Sequence, residues 1–109
     1  GSLFLNEGYW AGQQIITEDW IEASSTEHIV TNSLIPQAHA YGYQWWLAQL
    51  PYGFQPVETW VTSGYGGQYL FVVPSLDLVV AFTGHNYEPG PGIANLYTMM
   101  IEFIMAAID

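Results

Sequence analysis

Residues 68–73, Gln-Tyr-Leu-Phe-Val-Val, and residues 78–83, Leu-Val-Val-Ala-Phe-Thr, are two strand-forming runs separated by Pro74-Ser75-Leu76-Asp77. Such spacing predicts a β-hairpin. What constrains the fold is that neither run alternates between apolar and polar. Leu70 and Val72 share one face and Tyr69, Phe71 and Val73 the other; in the second run Leu78, Val80 and Phe82 oppose Val79 and Ala81. Strands that are apolar on both faces have to be covered on both. A single sheet with one wet face is therefore excluded.

The rest of the chain supplies covering elements. Residues 93–108 have helical length, and Pro91 suits a helix start. Asn95, Thr98 and Glu102 recur at spacings of three and four, which leaves one narrow polar stripe and apolar surface nearly all round. Such a helix needs contacts on more than one side. Upstream, residues 40–48, with Tyr41, Tyr43, Trp45 and Trp46, read as a strand that breaks at residues 50–53, and residues 57–63 resume an extended pattern until Gly64-Tyr65-Gly66-Gly67. Thr17 is a good N-cap for a short helix over residues 18–24, whose Glu18 and Asp19 favour its dipole. Residues 3–8 look like a last helical turn closed by glycine. The expectation is an α+β unit spanning residues 1–109, an antiparallel sheet with a C-terminal helix packed on it.

Charge narrows the partners. Ten Asp and Glu stand against no Lys and no Arg, a formal net charge of −10, where average usage would supply roughly a dozen cations. Nothing here can neutralise a row of phosphates, so neither nucleic acid nor an anionic membrane surface is expected as a partner. The longest apolar run, residues 99–108, is interrupted by Glu102 and falls short of the roughly 20 residues that span a bilayer. No basic region precedes an apolar run near Gly1, so no signal peptide is expected. The absence of cysteine excludes disulfides, thiolate metal sites and a cysteine nucleophile.

Self-contained catalytic motifs are missing. There is no Gly-x-Ser-x-Gly elbow, and without lysine there is no Ser-x-x-Lys. His28, His39 and His85 lack the pairing of a zinc helix, no calcium loop occurs, and no metal or cofactor is expected. The histidines are read as loop or packing residues. Trp45, Trp46 and Trp60 are read as core, with Trp45 and Trp46 on opposite faces of their strand.

The most distinctive string is Thr62-Ser63-Gly64-Tyr65-Gly66-Gly67-Gln68 feeding a strand, followed by Val72-Val73-Pro74-Ser75-Leu76-Asp77-Leu78-Val79-Val80. Closely spaced glycines beside a strand let a ligand or another backbone approach. The string as a whole closely resembles the C-terminal region of serine hydrolases related to class C β-lactamases, penicillin-binding proteins and the esterases of that fold. Residues 3–16, the helix at 17–25 and Tyr41-Gly42-Tyr43-Gln44-Trp45-Trp46 are similar to segments of the same family.

That resemblance implies a β-lactamase-like (transpeptidase-like) fold. It also implies that Thr62, Ser63 and Gly64 form the third motif, a substrate-binding strand on which Thr62 stands where lysine is usual. The main-chain N–H of Tyr65 would be an oxyanion-hole donor. The serine and lysine of the nucleophile motif would lie upstream of Gly1, so the chain alone is expected to be inactive; Thr62 in place of lysine weakens the expectation of β-lactam binding and favours an esterase or amidase parent over one of penicillin-binding type. The expected partner is the missing N-terminal part of the domain, or a second copy. The alternative is a stand-alone, aromatic-rich interaction module that uses the apolar helix face.

Overall fold

The structure, a computed structural model, describes residues 1–31, 38–87 and 96–108. Six antiparallel strands form one meander in sequence order: β3 (Ile29–Val30), β4 (Ala38–Tyr41), β5 (Trp46–Tyr52), β6 (Gln55–Gly64), β7 (Gln68–Val73) and β8 (Leu78–Phe82). A helical turn, α1 (Ser2–Leu5), precedes a two-stranded ribbon, β1 (Tyr9–Trp10) and β2 (Gln13–Gln14), and the helix α2 (Glu18–Ser24). After the sheet come α3 (Leu96–Thr98), a π-helical stretch (Met99–Ile104) and a 3₁₀ turn (Met105–Ala107). The α+β class, the antiparallel sheet and the C-terminal helix are as the sequence predicts.

Both faces of the predicted hairpin are covered. On one face Phe71, Val73, Val61, Leu50 and Ala48 pack beneath Tyr97, Met100 and Met105 of the C-terminal helical segment, with Leu78, Val80 and Phe82 at the margin. On the other, Val72, Leu47, Ala40 and Trp45 form a smaller cluster capped by Phe4 and Leu5 of α1. The chain between the two strands turns through a 3₁₀ segment (Pro74–Leu76), and Asp77 takes a left-handed conformation at φ 50°.

Three expectations are corrected. The aromatic run at 40–48 is two strands, because the chain reverses at residues 42–45, with Gln44 at φ 68°. Strand β5 then runs on through Leu50 and Pro51 to Tyr52. Pro51 faces Pro56 across the ladder, so the pair asks for an N–H from neither and the expected break does not occur.

The C-terminal segment is also better covered than its pattern suggests. Tyr97, Met100 and Met105 are buried and Ile101, Ile104 and Ile108 half-buried, whereas Met99, Glu102, Phe103, Ala106 and Ala107 face outward. Thr98 is half-buried, so the solvent side is not the expected polar stripe. Pro91, Ile93 and Asn95, the expected helix start and part of that stripe, lie outside the described residues.

Helix α2 forms as predicted, with the Thr17 hydroxyl accepting from the Trp20 N–H at 3.2 Å. It abuts the 42–45 reversal. The Tyr43 N–H donates to the Ser24 carbonyl at 2.9 Å, and a Cβ on Gly42 would lie 2.1 Å from that same carbonyl oxygen. Trp20 and His28 both stack on Tyr43, with centroids 5.4 and 4.0 Å away. The Nε2 of His28 lies 2.6 Å from the Ala23 carbonyl oxygen, consistent with a packing histidine.

Candidate functional site

Strand β6 outruns its neighbour. Its ladder with β5 ends at Trp46 opposite Val61, whereas on the other side Thr62, Ser63 and Gly64 pair with Leu70, Tyr69 and Gln68 of β7. Residues 62–64 therefore present one main-chain edge that no described strand occupies. Thr62 is half-buried, and Ser63 and Gly64 are exposed. Unpaired N–H and C=O groups along such an edge can take an extended ligand as an added strand.

The turn that follows is held by the segment that leaves β8. Tyr65 is 78% exposed, and its hydroxyl donates to the Tyr87 carbonyl at 2.9 Å. The Asn86 N–H donates to the Gly66 carbonyl at 2.9 Å and the Gln68 side-chain amide to the Gly84 carbonyl at 2.5 Å. The rings of Tyr65 and Tyr87 lie 5.1 Å apart, and His85 meets Tyr87 edge-on at 4.6 Å. The Tyr65 N–H donates to no main-chain carbonyl among the described residues.

Gly66 shows why the turn needs glycine. Its φ of +90° is unfavourable for any residue with a side chain, and a Cβ there would lie 2.3 Å from the Tyr87 ring. Gly66→Ala is expected to cost about 1–2 kcal/mol through the backbone conformation. It should also displace Tyr87 and break the Tyr65 hydroxyl bond. Urea titration reads the first effect and ring chemical shifts of the two tyrosines read the second; unchanged shifts would contradict this account.

The structure brings Thr62, Ser63, Gly64 and Tyr65 together at the end of β6, and the nearest described imidazole, His85, packs edge-on against Tyr87 of the clasp. No cluster of three or more metal-ligating side chains occurs among the described residues. Two depressions among the described residues lie elsewhere. One, of about 610 Å³, is apolar and sits at the opposite end of β5 between Tyr52, Ile101, Met105 and Ile108. The other, of about 330 Å³, lies among Glu7, Glu18, Glu22, Ile21 and Trp60. Trp45 is buried, Trp46 and Trp60 are half-buried, and the Trp60 indole donates to Glu58 Oε1 at 2.9 Å.

The residues that sequence reasoning passed over are those of the 84–87 clasp. A signal for them exists. In the β7–β8 register Tyr69 faces Phe82 and Val73 faces Leu78, so counting outward from the Pro74 turn sets Gly67 against Gly84 and Gly66 against His85. No helix among the described residues is long and apolar enough to cross a membrane. Compared with protein-family models the chain matches none, and no curated protein is significantly similar to it in sequence.

Proposed function

We propose that the chain is the C-terminal part of a serine hydrolase domain of β-lactamase-like fold, related to class C β-lactamases, penicillin-binding proteins and esterases. In this reading Thr62, Ser63 and Gly64 are the strand edge along which the substrate lies, and the Tyr65 N–H is one oxyanion-hole donor. The observation that carries it is the open edge of β6 at residues 62–64, which runs directly into Tyr65, whose N–H donates to no main-chain carbonyl among the described residues. The helix-covered antiparallel sheet and the motif string around that edge support the same assignment.

The chemistry of this half is electrostatic. As a nucleophile attacks an ester or amide carbonyl, charge develops on the oxygen, and a fixed N–H at about 2.9 Å stabilises it by about 3 kcal/mol relative to the ground state. The chain has no Lys or Arg, so the edge offers no cationic side chain to a substrate carboxylate. That favours neutral esters and amides over β-lactams. The serine and lysine that form and break the acyl bond belong to the other half of the domain, and this half alone is inert.

A fluorophosphonate probe and p-nitrophenyl acetate test the assignment. The 109-residue chain should neither be labelled nor hydrolyse the ester above background. Combined with a segment that carries Ser-x-x-Lys it should do both, and Tyr65→Pro, which removes the N–H, should then lower kcat by about 100-fold or more. Turnover by the isolated chain that disappears when one of its own serines is replaced would overturn the assignment.

A further inference from the structure

Three hydrogen bonds tie the end of the β6–β7 hairpin to the segment that leaves β8, and each reaches a different residue. The Gln68 side-chain amide donates to the Gly84 carbonyl at 2.5 Å, the Asn86 N–H to the Gly66 carbonyl at 2.9 Å and the Tyr65 hydroxyl to the Tyr87 carbonyl at 2.9 Å. At Gly84 the two chains also meet backbone to backbone. A Cβ there would lie 2.9 Å from the Gly66 carbonyl oxygen and 3.1 Å from that of Gly67. Gly84 is not among the glycines of positive φ, so its own conformation does not require glycine. What excludes a side chain is the nearness of the two turn carbonyls.

We infer that Gln68 and Gly84 are positioning residues that aim the Tyr65 N–H. The inference rests on the hydrolase assignment and deepens it, since β6 supplies the donor and the segment after β8 fixes its direction. Gln68 stands opposite Gly64 in the last pair of the β6–β7 ladder, where a Cβ on Gly64 would lie 3.1 Å from the Gln68 Cβ. Through its amide the same residue reaches Gly84. The peptide between Gly64 and Tyr65, which carries the N–H, is thus held between a ladder pair on one side and the hydrogen-bonded Gly66 carbonyl on the other.

The turn needs such restraint. Gly66 and Gly67 follow one another at φ 90° and 92°, and two adjacent glycines leave a free backbone many alternatives. An oxyanion donor stabilises developing charge because it is already in place, and a donor that has to reorient during the reaction forfeits most of that effect. Gln68 and Gly84 are both half-buried, and neither belongs to the two hydrophobic clusters that make the core. Replacing them removes no core packing. The effect should fall on the turn and on the N–H it carries.

The chain combined with a segment that carries Ser-x-x-Lys tests this on p-nitrophenyl acetate. Gly84→Ala, which pushes the turn carbonyls away, should lower kcat by about 100-fold, and Gln68→Leu, which removes the amide donor, by about tenfold. KM should stay within about twofold in both, because the donor acts on charge that develops only as the reaction proceeds. Fluorophosphonate labelling, which places an oxygen against the same donor, should slow in parallel. Phe71→Leu weakens the core three pairs down the ladder from Gly64 and Gln68 and should leave kcat within about twofold. Unchanged kcat in Gly84→Ala and Gln68→Leu, a rise in KM in its place, or a loss that Phe71→Leu shares would overturn the inference and leave the hydrolase assignment standing. No turnover by the unsubstituted combination would overturn both.

Discussion

Replacing Phe71 by alanine is expected to destabilise the fold by about 3–5 kcal/mol. Phe71 is fully buried near the middle of the sheet, where β7 lies between β6 and β8 and its cross-strand neighbours are Val61 and Val80. Its ring meets Phe82 and Tyr97 edge-on, at 5.9 and 5.3 Å, and stacks on Tyr69 at 5.8 Å. Truncation removes the transfer energy of a whole ring and leaves a hole that strands on both sides and the helix above cannot close without breaking other contacts. Domains of this size are stable by only about 5–15 kcal/mol in total, so the variant should be largely unfolded at modest urea. Phe71→Leu, which keeps most of the volume, should cost about 1–2 kcal/mol. Equal midpoints for Phe71→Ala and the parent would mean that the face under the C-terminal segment is not the core.

The same residue shows what could be read before the fold was known. Alternation failed in residues 68–73 and 78–83, and that failure required cover on both faces, which α1 and the C-terminal segment provide. The Thr17 cap and its helix were equally legible, because capping is decided within four residues. The reversal at residues 42–45 was not. Local propensity in that aromatic stretch favours strand throughout, and the turn is fixed by a distant partner, the end of α2, through the Tyr43 N–H and the close approach at Gly42.

The C-terminal segment was misread for a different reason. Its sequence is apolar almost all round, so a regular helix assigned Thr98 to a solvent stripe. In the structure Met100, Ile101, Ile104 and Met105, spaced as one face of a helix, pack toward the sheet, and Thr98 beside Tyr97 is drawn half under cover with them. At the candidate site, the glycine string marked the end of β6 correctly. The clasp from Gly84, His85, Asn86 and Tyr87 was hidden because it depends on the register of the hairpin rather than on any motif of its own.

Without Lys or Arg the carboxylates rely on neutral donors and on water. Glu58 accepts from Trp60, Glu18 and Asp19 sit in the first turn of α2, and the acids of the described residues are all exposed. Few of the native contacts are therefore ionic, and changing the charge on these acids has little packing to disturb. Sensitivity to pH should instead come from a proton held inside the core.

That proton is on Tyr97. The phenol sits under the sheet against Phe71 and Tyr69, and burial, with the adjacent Tyr69 phenol adding to it, holds its ionisation far above the usual 10.0. In the unfolded chain Tyr97 ionises near the usual value. Below that pH both states keep the proton and it contributes no pH dependence. As the pH climbs past it, the unfolded chain releases a proton that the native chain retains, so the stability present at lower pH is lost progressively, by up to about 1.4 kcal/mol per pH unit. Urea midpoints measured from about pH 9 to about pH 11 should fall steeply for the parent. Tyr97→Phe keeps the ring and its aromatic neighbours but has no proton to lose, so its midpoints should fall with a slope shallower by close to one proton. Identical slopes for the two chains would show that Tyr97 is reached by water in the native state and that the C-terminal segment does not seal the sheet.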